Sequence, residues 1–276
     1  MRIRGIDFTS APTRRTPITC ADCRLDGPTL RLEGLRAIPD PAAFAALLAE
    51  PPPWVAGFDF PFGQSRRFIE GIGWPTDWEA CARHVGDLSR PAFVAALEAY
   101  KRDRAAGDKE HRRETDRLTG AISPQKLYGV PVGRMYHAGA AALAAADLCV
   151  LPCRTRPVPR VAVEAYPALV ARFLLGRTSY KSGSRSKPGL AHSAARRAIL
   201  DGLTGARFAA AYGFTVTVPA DEADRMVADP TGDWLDALLC AVQAAWAASR
   251  GDFGVVAGCD PLEGWIVDPS TAAPLA

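Results

Sequence analysis

A chain of 276 residues, 48% hydrophobic and 23% charged, can bury a full core; this excludes wholesale disorder and fits one large α/β domain or two small ones. A formal net charge of +3 excludes a globally basic surface, so any footprint for a polyanion must be local. Residues 2–10 alternate as a strand, with Ile3, Gly5 and Asp7 on one side and Arg4, Ile6 and Phe8 on the other. Strands over 16–25 and 29–35 follow as a hairpin, joined by the tight-turn pair Asp26-Gly27. Asp40-Pro41 opens a helix to Ala49, with Asp at the cap and Pro at the first helical position, and Pro51-Pro52-Pro53 closes it. Trp54-Val55-Ala56-Gly57-Phe58-Asp59-Phe60 is the next strand, ended by Pro61 and Gly63.

From about 64 to 150 the pattern is helical and mixed in charge, clearest over 92–106 and 136–147, and no strand is expected there. This stretch reads as a helical insertion or cap on the sheet. Arg160-Val161-Ala162-Val163-Glu164 returns to a strand, followed after Pro167 by a helix to about Leu175. A Ser/Gly/Lys/Arg loop covers 176–189, and helices are expected over 190–203, 221–228 and 232–249. The order predicts one α/β domain over 1–276, a mixed sheet with helices on both faces.

The N-terminus lacks the apolar core and small-residue cleavage site of a signal peptide, and the alanine-rich run 138–151 is too short and polar to span a bilayer. Seven cysteines, an odd number, suit a reducing compartment, so a cytoplasmic protein without a membrane partner is expected. Cys20 and Cys23 have the spacing of half a zinc site. On a strand, however, residues three apart point to opposite faces and cannot chelate one ion.

Acidic residues stand where apolar ones belong. Asp7 lies between Ile6 and Phe8, Asp59 between Phe58 and Phe60, and Glu164 ends Val161-Ala162-Val163. An unpaired carboxylate in an apolar strand is costly to bury unless a cation or hydrogen bonds compensate. On the late helix, Asp233, Asp236, Cys240 and Gln243 fall at i, i+3, i+7 and i+10, a polar line that should face the carboxyl ends of the strands. Asp233 also suits a first-turn acid favoured by the helix dipole, and Glu164 a cap for the helix after Pro167. Oxygen ligands without matching histidines favour Mg²⁺ or Mn²⁺ over zinc or copper. Two hard cations about 3.5–4 Å apart, bridged by aspartates, are the usual device for in-line phosphoryl transfer. Asp7, Asp59 and Asp236 are therefore expected to bind metal, with Asp233 and Glu164 as fourth ligand or water-orienting acid.

Gly5-Ile6-Asp7, Gly57-Phe58-Asp59-Phe60-Pro61-Phe62-Gly63, Val163-Glu164-Ala165-Tyr166-Pro167, Asp233-Trp234-Leu235-Asp236-Ala237 and Glu263-Gly264-Trp265-Ile266 occur in that order. In these motifs the chain resembles a largely uncharacterised bacterial and archaeal family described as predicted RNase H-like nucleases. The resemblance implies an RNase H-like fold, with an aspartate on the first strand, an acid after the fourth, and an Asp or Asp-x-x-Asp on a late helix. Asp7, Asp59, Asp233 and Asp236 fit that arrangement, and Glu164 would be an additional acid. It also implies metal-dependent phosphodiester hydrolysis.

Between Leu148 and Leu200 Glu164 is the sole acid among ten Lys and Arg residues, which suits a phosphate backbone, DNA or RNA. Lys181, Arg185 and Lys187 in the 180–188 loop are the expected clamp, with Arg113 and Lys126 as a second set of contacts. Aromatic residues do not interleave with these basic runs, so no stacking platform for single strands is expected. Two other classes compete. An actin-like phosphotransferase has a similar core sheet but calls for glycine-rich phosphate loops. Asp7-Phe8-Thr9-Ser10 lacks the glycine, and Gly183-Ser184-Arg185-Ser186-Lys187 lacks the P-loop spacing. A non-catalytic module of the same fold, binding nucleic acid or a partner protein, would retain the acids as a relic.

Overall fold

The alternating N-terminal segment forms the centre of a seven-stranded sheet. The computed structural model describes residues 1–182 and 189–272. Its strands are β1 (Arg2–Asp7), β2 (Ile18–Asp26), β3 (Thr29–Ile38), β4 (Trp54–Asp59), β5 (Cys149–Leu151), β6 (Arg160–Glu164) and β7 (Thr215–Thr217). They lie in the order β5-β6-β4-β1-β2-β3-β7. Only β2 runs antiparallel to its neighbours; β1–β4, β4–β6, β5–β6 and β3–β7 are all parallel pairs. The β2–β3 hairpin turns one residue later than expected, at Gly27-Pro28 with Asp26 paired to Thr29, and Gly27 takes φ 52°, a conformation that favours glycine.

The helices are α1 (Pro41–Ala49), α2 (Arg66–Ile72), α3 (Trp78–Asp87), α4 (Arg90–Arg102), α5 (Glu114–Thr119), α6 (Val132–Ala145), α7 (Pro167–Leu175), α8 (Leu190–Gly202), α9 (Ala206–Tyr212), α10 (Ala220–Ala228) and α11 (Asp233–Ala248). The expected cap of α1 is present, with the Asp40 carboxylate accepting from the Ala43 N–H at 2.8 Å. Helices α2 to α6 stand between β4 and β5 in the chain.

Strand alternation divides the core in two. Ile3, Val55 and Val163 face α7 to α11, whereas Ile6, Phe58 and Ala162 face α1 to α4 and α6. The mixed α/β sheet with helices on both faces is thus as the sequence predicts. Cys20 and Cys23 fall in opposite cores, each buried and free, as the strand argument requires.

Three elements depart from expectation. Cys149–Leu151, at the end of the stretch expected to lack strands, forms the β5 edge of the sheet, and Thr215–Thr217 forms the other edge as β7. Strands of three residues are too short to display a period, and only a neighbouring strand defines them. Helix α9, seven residues long, was hidden for the same reason.

Candidate metal centre

The site begins with two glycines. In the parallel pair β1–β4, Gly5 stands opposite Gly57 and Asp7 opposite Asp59. Residues two apart on a strand share a face, so both aspartates project on the side of their glycines, toward α11. A Cβ on Gly5 would overlap the Ala237 carbonyl and the Ala241 amide nitrogen, and one on Gly57 would overlap the Cys240 carbonyl. The backbone of α11 therefore lies directly on the two strands. Its first turn, entered through Gly232 at φ 73°, then delivers Asp236 over their ends.

Carboxylate oxygens of Asp7, Asp59 and Asp236 all lie within 4.8 Å of one another. Asp236 is 2% exposed and the two strand acids are half-buried. The Tyr180 hydroxyl donates to Asp236 Oδ1 at 2.7 Å, and the Lys181 ammonium forms an ion pair with Oδ2. Burial raises the Asp7 carboxyl well above the usual range; Lys181 works against this, and Asp236, Asp59 and Asp233 add to it. Burial, then Asp236, pushes Asp59 up to about 7. Three carboxylates facing one ammonium leave an excess of buried negative charge. An all-oxygen donor set of this size fits a hard divalent cation, which would supply the missing positive charge.

The other two acids are placed differently. Asp233, one turn before Asp236, lies outside this trio; its carboxyl is raised by burial, and its backbone carbonyl accepts from the Thr19 hydroxyl at 2.8 Å. Glu164 is in register with Phe58, so its side chain leaves the sheet on the opposite face from Asp59. There it accepts from the Phe62 N–H at 2.9 Å and from Arg113 at 2.6 and 2.8 Å. Burial raises its pKa against the pull of Arg113. Glu164, expected beside the aspartates, therefore stands outside the trio and is held by Arg113, sharing with Asp59 the lining of one cavity.

Arg113 also departs from its expected role as a substrate contact. It is 2% exposed, and all five guanidinium N–H donors are engaged by Asp116, Glu164 and the Glu263 carbonyl. Burial alone would lower its pKa, but Asp116 and Glu164 hold it well above the ordinary value. The Glu263-Gly264 motif belongs to the same junction. The Glu263 carboxylate accepts from the first N–H of α2, at Arg66 (2.8 Å), and from the first of α5, at Glu114 (3.1 Å).

Much of the basic segment is structural. Arg154 donates to the last carbonyls of α6, and fully buried Arg196 to the Val227 and Tyr180 carbonyls. Lys126 is half-buried at the rim of a cavity of about 380 Å³ that Asp59, Glu164, Tyr166 and Met135 also line. Arg185 and Lys187 lie outside the described residues. The sequence reading missed Tyr180, whose only signal is its place beside Lys181. It also missed the structural meaning of Gly5 and Gly57, although the repeated Gly-x-Asp was visible.

Residues 5–260 match the model of a family described as a protein of unknown function, DUF429. No curated protein and no solved structure matches the chain.

Proposed function

Because the chain belongs to DUF429, a family of unknown function, its activity has to be read from its own residues, and we propose that it is a Mg²⁺- or Mn²⁺-dependent nuclease. The observation that carries this reading is the trio Asp7, Asp59 and Asp236, within 4.8 Å at the ends of two adjacent parallel strands and the start of α11. These three residues would hold the metal, and Asp233 is the nearby acid left to orient water or complete the ligand set. A pair of hard cations at such a cluster supplies an activated water and stabilisation of the leaving oxygen.

The strand arrangement supports an RNase H-like fold for this chemistry. An antiparallel meander, β1-β2-β3, lies on one side of β1, parallel strands lie on the other, and only β2 is reversed. The acids stand on the first strand, at the end of the fourth and on a late helix, close to the arrangement that the resemblance implies. Glu164 acts at one remove: with Arg113 it fixes the Phe62 turn that follows Asp59. The free thiols fit a reducing, cytoplasmic setting. Among the described residues no helix is long and apolar enough to cross a membrane.

The deciding experiment is cleavage of labelled single-stranded, duplex, hybrid and branched nucleic acids with Mn²⁺, comparing wild type with Asp7→Asn. Metal-dependent cutting that the substitution abolishes is the expected result. Absence of cutting on every substrate would overturn the nuclease reading.

A further inference from the structure

Two hollows border the carboxylate cluster and a third lies beyond them, and side-chain contacts join the three. One, of about 540 Å³, is lined by Arg172, Arg177, Tyr180 and Lys181, and the last two residues hold Asp236. The second is the cavity of about 380 Å³ beside Asp59, with walls that include Ile122, Val130, Val132 and Met135. Arg172 links these two, donating to the hydroxyl of Tyr166, a wall residue of the second, at 2.8 Å. The third, of about 570 Å³, is lined by Arg102, Lys109 and Tyr128, and by Glu98 and Glu110, which pair with Lys101. Lys126, at the rim of the second, sits 4.9 Å from the Tyr128 ring.

Two features of this surface bear on what it binds. Tyr128, in the third hollow, and Val130, in the wall of the second, are 66% and 61% exposed, large groups in water. Arg102, Lys109 and Arg177 are exposed and have no ion-pair partner among the described residues, unlike Arg113 and Arg154. Cations at both ends, an apolar cavity beside the metal ligands and an exposed aromatic ring next to a lysine make a pattern. It is the chemistry that recognises a polyanion whose bases are unpaired. In a duplex the base faces are stacked on one another and cannot enter a cavity or cover a tyrosine. The cavity volume lies low in the roughly 300–1,000 Å³ range of ligand sites, which suits a single base.

We infer that the substrate is single-stranded nucleic acid, running from Arg177 across the carboxylates, with one base in the cavity beside Asp59 and the next stacked on Tyr128. This rests on the reading of the cluster as a phosphodiester site and names the form of substrate it takes. On this reading Tyr128 would be the stacking platform that the sequence did not lead us to expect: it is two residues from Lys126, and its ring is exposed next to that ammonium.

The test is fluorescence anisotropy of labelled oligothymidylate and oligouridylate strands, and of a blunt duplex of equal length, in EDTA so that no cutting occurs. A single strand should bind better than the duplex, and Tyr128→Ala should weaken it on the order of tenfold, as loss of one base–aromatic stack does. Tyr128→Phe, which keeps the stack, should restore binding. Arg102→Gln with Lys109→Gln should reduce the salt slope of log K by about 0.7 per lost phosphate contact. Equal or better binding of the duplex, no binding of either strand, or an unchanged Tyr128→Ala would overturn the proposal. The two readings fail separately. Tyr128-dependent binding without Mn²⁺-dependent cutting leaves the track and removes the nuclease, whereas duplex cutting that Tyr128→Ala does not affect leaves the nuclease and removes the track.

Discussion

Asp7 and Asp59 are register partners on neighbouring parallel strands, and so are the glycines two residues before each of them. That coincidence makes Gly-x-Asp a single device used twice. The glycine lets the backbone of α11 lie on the strand, and the aspartate, on the same face, then meets the first turn of that helix. The negative charge gathered in this way is met within the chain by one described cation, the Lys181 ammonium paired with Asp236.

Adding a methyl group at either glycine should therefore damage both stability and the site. For Gly5→Ala and Gly57→Ala the new Cβ meets rigid helix backbone, not the end of a flexible side chain. A loss of about 3 kcal/mol, the upper end for an overpacked core, is expected in urea denaturation. Gly34→Ala, where nothing lies within 4 Å of the new atom, is the control and should stay within about 0.5 kcal/mol of wild type. Equal effects at the three positions would refute the close seating of α11.

Protonation of the cluster links metal binding to pH. Burial raises both strand acids, with Asp59 pushed up to about 7 and Asp7 well above the usual range. A cation must displace those protons, so Mn²⁺ affinity should rise with pH toward and through about 7. In metal-free protein the sign is opposite. The folded state holds protons that the unfolded chain releases near the ordinary carboxylate pKa, about 4. The stability this contributes is fully present below that value and is lost as pH rises through about 7. Urea midpoints in EDTA should fall across that window, Asp59→Asn should flatten the fall, and excess Mn²⁺ should reverse it at the upper end. A wild-type profile without that fall would remove the basis for a charge-strained cluster.

How much of this was legible follows from how each residue is constrained. Asp7, Asp59 and Asp236 could be read because each breaks an apolar pattern, and such breaks require compensation. Glu164 broke the pattern equally well, but its face depends on register with β4, which one strand alone does not encode. Arg113 looked like one of many exposed charges in an alternating run; its burial arises from two acids, Asp116 nearby and Glu164 fifty-one residues on. Short-range patterns fixed the strands and caps. The edges β5 and β7, the ion pairs and the hollows depend on contacts distant in sequence.

The Arg113 junction gives a prediction free of any substrate. Arg113→Met leaves Asp116 and Glu164 buried without their cation, and breaking a buried pair by removing one partner costs about 3–5 kcal/mol. Removing all three charges together, as Arg113→Met with Asp116→Asn and Glu164→Gln, should recover much of that loss, because neutral amides need no counter-charge. Denaturant unfolding of the single and triple variants measures the difference. A triple variant no more stable than the single one would show that packing of the arginine, not its charge, holds the junction.

Lys181 supplies the last test, because its position sets it in competition with a metal. Its ammonium pairs with the Asp236 carboxylate, and Asp7 and Asp59 act on it as well, so its pKa is raised despite burial. A cation bound by the three aspartates would be repelled by this neighbouring charge, and at such range in a partly buried site the repulsion is only weakly screened. Lys181→Met keeps the length and apolar stem and removes the charge. The metal-free variant should be less stable than wild type, because three crowded carboxylates lose their internal partner. Its Mn²⁺ affinity should increase, measured by isothermal titration calorimetry at a pH above about 7, where Asp59 is ionised. Weaker Mn²⁺ binding in Lys181→Met would instead mean that the lysine organises the ligands by holding Asp236 in place, and that its charge works with the metal and not against it.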